Sequence, residues 1–412
     1  MLSNIKWPLL IIISLNYLSA CDSSTAEKTV DNTISNTPDI NASSDSNARW
    51  LAGSWGITHR LDGGYRLDSA VNSSDWVAGA QQIVENLPSA GHVITSFTHP
   101  AHAYLFTLRD NNNVNVSAKI HPDMVPSIQN EQVIFDVIDE YRRAGKKVIM
   151  YLNTAGPSMI RDTFPENELA IKAAWESYYN AKPWKGDEAA AWRDLVLGYV
   201  ERLDGLVDGY WLDNVSELPG EVSDFVEMIR SVDPTLAIAI NKGKDYFKDE
   251  NNNFIYVDSD GVNDEDDTDY KIVQYKASNE YEDFTSGHVT PLGNGAPPNS
   301  FGYEEFTIPD VQNAPWDNYE GKDVLKHAWY PIRETWSTGT NLVFEIEQAY
   351  RFTRNYTDVG AGITWSTTEK NGYIRADEME IMLEIEHRLS QNPKQDFIPY
   401  ERPNGAYLLE NN

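Results

Sequence analysis

From Trp50 onward the chain alternates between short, almost uninterrupted apolar runs and stretches whose apolar residues recur at three- and four-residue spacing. The first pattern predicts strands buried on both faces; the second predicts helices that cover them. Successive strands are predicted at Ser54–Thr58, His92–Phe97, Lys147–Leu152, Asp208–Asp213, Leu236–Ile240, Phe254–Val257, Lys271–Tyr275 and Gly362–Trp365. Helices are predicted around Trp76 to Leu87, on the face of Ile134, Val137, Ile138 and Tyr141, on that of Trp192, Leu195, Tyr199 and Leu203, and on that of Val222, Phe225, Val226 and Ile229. Two more are expected near 321–336 and 341–357, after a Pro/Gly-rich excursion from 283 to about 314, and a last one carries Met379, Met382, Leu383 and Leu389.

Eight strands separated by helices predict an α/β fold, a single (β/α)8 TIM-like barrel over 49–393, with 394–412 as a short tail packed on it. An open doubly wound sheet is the alternative, but no Gly-rich nucleotide loop follows the first strand. In a barrel, the residues that close each strand converge on one mouth, and that face carries the chemistry. The run Asp208-Gly209-Tyr210-Trp211-Leu212-Asp213-Asn214 is the clearest case, because three large apolar residues end abruptly on a carboxylate and an amide.

The other predicted strand ends supply His59 and Arg60, His99 and His102, Tyr151 and Asn153, Asn241 and Lys242, Asp258 and Asp260, Glu280, Glu282 and His288, and Trp365. Imidazoles, amides, carboxylates and aromatics in one mouth form the inventory of a glycosidase, which needs one ionised and one protonated carboxyl group. Asp213 is the candidate nucleophile. Glu282 is the candidate acid, with Tyr281 and Phe284 beside it to raise its proton affinity; His288 is an alternative acid, since an imidazolium donates near neutral pH. His59, His99, Tyr151, Asn214, Asn241, Lys242, Glu280, His288 and Trp365 are candidate substrate contacts. No metal ligand is assigned and no cofactor is required. The oxygen-rich run 258–267 is a possible calcium loop, although its Gly is misplaced for an EF-hand. The histidines at 59, 99 and 102 lack a zinc-protease spacing.

The first residues change the picture. An apolar run from Trp7 to Leu15 after Lys6 is too short to span a bilayer and reads as a signal peptide, 1–20, closing with Leu18-Ser19-Ala20-Cys21. Cys21 is the single cysteine, and 21–48 is a polar tether with few large apolar residues. The net charge of −30 argues against nucleic acid as a partner, since phosphate contacts need a basic face. If the substrate is itself anionic, Arg60, Lys242, Lys244 and Lys276 are the cations available to offset repulsion.

Leu18–Cys21 resembles the lipobox of bacterial lipoproteins, which implies acylation of Cys21 and a place in the cell envelope, bound to a membrane. The strand ends resemble the α-L-fucosidase clan of glycoside hydrolases, which includes endo-acting fucanases. Trp55-Gly56-Ile57-Thr58-His59 is similar to that clan's first-strand motif, whose His contacts fucose. His99 is similar to the first of its second-strand histidine pair, here split by Pro100 and Ala101. Asp208–Asp213 is similar to its Asp-Gly-x-Trp-Phe-Asp strand, implying that Asp213 is a retaining nucleophile. Trp329 to Thr338 faintly resembles a later Trp-rich stretch. With no β-sandwich after the barrel, the layout looks more like the fucanases that cut sulfated fucan polysaccharides than like exo-acting fucosidases. A glycan-binding surface lipoprotein without activity is the rival class.

Overall fold

Six of the predicted runs and one segment expected to be helical form seven parallel strands in one sheet: β1 (Trp55–Thr58), β2 (His92–Ser96), β3 (Lys147–Asn153), β4 (Gly209–Asp213), β5 (Ala237–Ile240), β6 (His327–Pro331) and β7 (Gly362–Ser366). Their spatial order is β6-β7-β1-β2-β3-β4-β5. The computed structural model describes residues 46–60, 73–96, 98–99, 104–105, 116–124, 128–164, 166–241, 277, 279–287, 301–333 and 339–401, all within the unit Ile40–Asn412.

Side-chain parity explains why these runs look uniformly apolar. Val148, Met150 and Leu152 of β3, Tyr210 and Leu212 of β4, and Ile238 and Ile240 of β5 pack outward with the helices. Ile94, Ile149, Tyr151, Trp211, Ala239 and Trp329 point the other way and fill the barrel. Both faces are dry, so period-two alternation of polarity is lost.

Among the described residues the helices longer than eight residues are α1 (Ser73–Asn86), α2 (Ile128–Arg143), α3 (Glu166–Asn180), α4 (Glu188–Arg202), α5 (Val222–Val232), α6 (Phe301–Asn313), α7 (Ile346–Thr357) and α8 (Ala376–Leu389). Asp187 caps α4, its carboxylate accepting from Ala190 N at 2.9 Å, which satisfies one of the free N–H groups of the first turn. α5 buries Phe225, Val226 and Ile229 along one stripe, the spacing that predicted it.

The barrel closes through a stave with no apolar pattern. Residues 283–287 lie between the two edge strands: Asp283 N donates to Ile238 O of β5 at 2.8 Å, while Thr285 N donates to Leu325 O and Trp329 N to Gly287 O, each at 2.9 Å. Asp283 is pinned at the lower end, where its carboxylate accepts from Ile238 N at 2.9 Å and pairs with Arg230 at 3.0 Å and Lys322 at 3.1 Å. Gly287 has φ +61°, and a Cβ there would lie 2.1 Å from His327 O. Only glycine fits.

Two expectations about order differ from the structure. The segment near 321–336, read as helix, is a hairpin of Trp316–Tyr319 and Lys322–Leu325 followed by β6. Its apolar residues at 324, 325, 328, 329 and 332 also satisfy a helical spacing, and burial on both faces removes the alternation that separates the two. The excursion 283–314 holds both the closing stave and α6. The proposed strands 254–257 and 271–275 lie outside the described residues.

The base of the barrel is plugged by the start of the fold. Ala48 and Leu51 are fully buried among Ile149, Trp211 and Ala237, and the Asn47 amide donates to Pro234 O at 3.0 Å. At the other end of the chain, residues 394–398 run along α7, with Arg351 donating to Ile398 O at 3.0 Å.

Candidate active site

β3, β4 and β5 end in register: Asn153 pairs with Asp213, and Leu212 with Ile240. Inward parity therefore brings Tyr151, Asp213 and Asn241 together at the mouth. Asn241 Nδ2 donates to Asp213 Oδ1 at 2.7 Å, and Asn214 N donates to the same oxygen at 2.9 Å. The Tyr151 hydroxyl donates a short bond to Oδ2, and Asn214 Nδ2 approaches Oδ2 at 3.4 Å. Thr154, just past β3, donates through N and Oγ1 to the Asp213 carbonyl at 2.9 and 2.7 Å.

Asn214 makes this geometry with φ +54°. Asparagine tolerates that left-handed conformation better than most residues, and the turn folds its backbone N–H back onto the preceding carboxylate. Tyr151 is set from below: its ring stacks on Trp211 with centroids 5.5 Å apart, and Trp211 meets Trp329 edge-on at 4.4 Å. Trp211 Nε1 in turn donates to Ser286 O of the closing stave at 2.8 Å. Asp213 remains half-buried while Tyr151 and Asn241 are buried, so the carboxylate is the part of the cluster that solvent or substrate reaches. Converging donors of this kind hold a carboxylate aimed.

Several candidates are placed elsewhere. Glu282 does not face Asp213: it precedes the closing stave, near Lys322 at the base, and is buried there. The register sets it about three residues, on the order of 10 Å, below Asp213. The sequence reading put a strand at 271–275 and hence Glu282 after it; the stave is 283–287, so Glu282 lies before it. Glu280 is exposed on the same side, where Lys322 donates to its carbonyl at 2.9 Å.

His59 is fully buried, with both ring nitrogens taken: Nδ1 by Tyr141 Oη at 2.7 Å and Nε2 by Gly372 O at 2.8 Å. Burial pushes its pKa down to about 4, the Gly372 hydrogen bond opposing. It ties α2 to the turn at 372 and has no nitrogen left for a sugar. Trp365 is also buried, pointing outward to donate to Thr353 Oγ1 at 3.0 Å and pack on Phe344, because parity turns Thr364 inward and Trp365 out. Arg60 is buried, its N–H donating to Glu369 at 2.6 Å. His99 pairs through its backbone with Tyr104. His102, Lys242, Lys244, Lys276, His288, Asp258, Asp260, the 258–267 loop and Cys21 lie outside the described residues.

Two features escaped the sequence reading. Ser96 and Ser366 end β2 and β7 with buried hydroxyls that have no hydrogen-bond partner among the described residues. Near the base, His92, Thr364 and His327 form a second polar layer: Thr364 Oγ1 lies 2.7 Å from His92 Nε2 and 2.8 Å from His327 Nε2. Inward parity at strand positions would have found both. Among the described residues no His, Cys, Asp and Glu group is arranged to hold a metal ion, and no helix is long and apolar enough to cross a membrane.

The family model of the endo-α(1,4)-fucoidanase Mef1 matches residues 45–412. Among solved structures, the chain is similar to the endo-fucoidan hydrolase P5AFcnA from glycoside hydrolase family 107, with 63% identity, a TM-score of 0.78, and coverage of 88% of this chain and 98% of that one. The endo-fucoidan hydrolase MfFcnA4 of the same family shares the fold at 14% identity and a TM-score of 0.63, over 83% of this chain and 53% of that one. No curated protein matches.

Proposed function

The chain belongs to the endo-α(1,4)-fucoidanase Mef1 family of glycoside hydrolases, and from that premise we propose that it cleaves α-L-fucosyl linkages inside sulfated fucan with net retention, Asp213 acting as nucleophile. The observation that carries this reading is the Asp213 carboxylate, half-exposed at the end of β4 and oriented by Tyr151, Asn214 and Asn241. A retaining mechanism needs a second group about 5–5.5 Å from the first when both are carboxyls, and Glu282 at the base is too far. His288 follows Gly287, the residue at which the closing stave reaches the level of Trp329. We assign it the acid/base role, protonating the leaving oxygen and later deprotonating water.

Sizing the products of a sulfated α(1,4)-fucan digest tests the activity. A ladder of oligosaccharides is expected; free fucose alone would mean exo action, and no products would favour a glycan-binding protein. Proton NMR of the first product should show the α-anomer, and a β-anomer would remove the nucleophile role. Cys21 is proposed as the lipidated N-terminus on the strength of Leu18–Cys21 and the polar tether. An unlipidated mature start beyond residue 21, seen by mass spectrometry, would end that idea.

A further inference from the structure

Resting on the reading of Asp213 as nucleophile, we propose that its donors make the two carboxylate oxygens unequal: Oδ1 is held, Oδ2 attacks the anomeric carbon, and Tyr151 is the positioning residue that releases it. Oδ1 receives two N–H groups, one from backbone and one from a side-chain amide on an anchored residue. The Asn214 N–H is set by the left-handed turn at φ +54°. The Asn241 amide, 2.7 Å away, sits on a residue whose N–H donates to Leu212 O at 2.7 Å and whose carbonyl accepts from Val215 N at 3.0 Å. Moving the Asn214 donor means moving backbone, and moving the Asn241 donor means turning a whole amide about heavy-atom torsions.

Oδ2 is different. Its one short donor is the Tyr151 hydroxyl, on a ring locked by stacking on Trp211 and by the edge contact with Trp329 at 6.0 Å. A phenol hydrogen swings about its C–O bond without displacing a heavy atom, whereas an N–H hydrogen has no such freedom. The lone pair uncovered at least cost is therefore on Oδ2.

In the first step Oδ2 forms a bond to the anomeric carbon as the glycosidic C–O bond breaks. The electron pair leaves on the departing sugar oxygen, which takes a proton from His288. Tyr151 keeps its proton and turns it away, presenting an oxygen lone pair to the positive ring. In the second step water attacks the same carbon and gives its proton to His288; the C–Oδ2 bond breaks, the pair returns to Oδ2, and the Tyr151 hydrogen bond re-forms.

The test compares Tyr151→Phe, Asp213→Asn and wild type on a sulfated fucan oligosaccharide, with folding checked by thermal melts. Tyr151→Phe keeps the stacked ring. It should lower kcat by more than about tenfold with little change in KM, since the loss falls on the step in which Oδ2 is uncovered. Asn214→Gly, which keeps the N–H and accepts positive φ, should lose less activity than Asn214→Ala. A wild-type kcat in folded Tyr151→Phe would overturn the inference while an inactive Asp213→Asn left the nucleophile reading standing. An active Asp213→Asn would remove both. Should Tyr151→Phe melt early, a structure of the wild-type enzyme trapped with a 2-fluoro-fucosyl oligosaccharide decides: an ester on Oδ2 supports the inference, and one on Oδ1 overturns it.

Discussion

Two polar layers sit inside one barrel, one residue step apart in kind and several apart in height. At the base, His327 Nδ1 lies 3.3 Å from Thr285 O, a carbonyl that can only accept, so His327 carries its proton on Nδ1 and its Nε2 accepts from the Thr364 hydroxyl. The Thr364 oxygen then accepts from His92 Nε2–H, and His92 Nδ1 accepts from Ser54 Oγ at 2.8 Å. Every link in this line runs one way and ends on backbone. At the mouth the donors of Tyr151, Asn214 and Asn241 instead converge on one carboxylate. A line that satisfies itself in the dry interior keeps its members neutral and holds strands together. Convergence at a solvent-facing strand end keeps a charge in place for use.

The largest effect is expected from Asp213→Asn. It preserves shape and removes the proposed nucleophile, so turnover should fall by several orders of magnitude, as removal of an essential nucleophile does, while the melting curve stays close to wild type. Release of oligosaccharides from a sulfated fucan, followed over hours, measures it. Thr364→Val is the mirror experiment. An isosteric change strips the hydroxyl between two buried imidazoles, and leaving both Nε2 atoms unpaired should cost about 3 kcal/mol in urea unfolding, with activity per folded molecule retained.

Acidification sharpens the base layer without mutation. Burial holds His327 at about 3 and His92 well below its ordinary value, and His59 at about 4. Between pH 6.5 and those values the unfolded chain binds more protons than the folded one, so stability falls as pH drops through that window, by up to about 1.4 kcal/mol per pH unit for each histidine. A melting temperature that is flat from pH 6.5 to 4 would contradict this. The smallest effect belongs to Glu282→Gln, whose site at the base predicts kcat within about twofold of wild type; a loss of a hundredfold would return Glu282 to the mechanism.

How much of this was legible follows from geometry. Asp213 was readable because an apolar strand ended on it, and Tyr151, Asn214 and Asn241 were readable by the same rule applied to neighbouring strands. That Tyr151 and Asn241 serve the carboxylate was not readable, since their hydrogen bonds to it span 62 and 28 residues. His59 shared the signature of a mouth residue, but its partners Tyr141 and Gly372 are remote in sequence. Trp365 failed on parity, one residue off the inward face. Glu282 failed because the closing stave, Asp283-Phe284-Thr285-Ser286-Gly287, has no apolar pattern; backbone bonds to both neighbours and the Trp211 indole hold it in place instead.

Ala48 and Leu51, seated in the base, also fix an orientation. Ser46, where the described residues begin, lies on the side of the barrel opposite Asp213. If Cys21 carries lipid, the leash from there to Ser46 reaches at most about 85 Å when fully stretched, and it pulls on the floor, not the rim. An anchor attached there would leave the face that carries Asp213 free for a polymeric substrate.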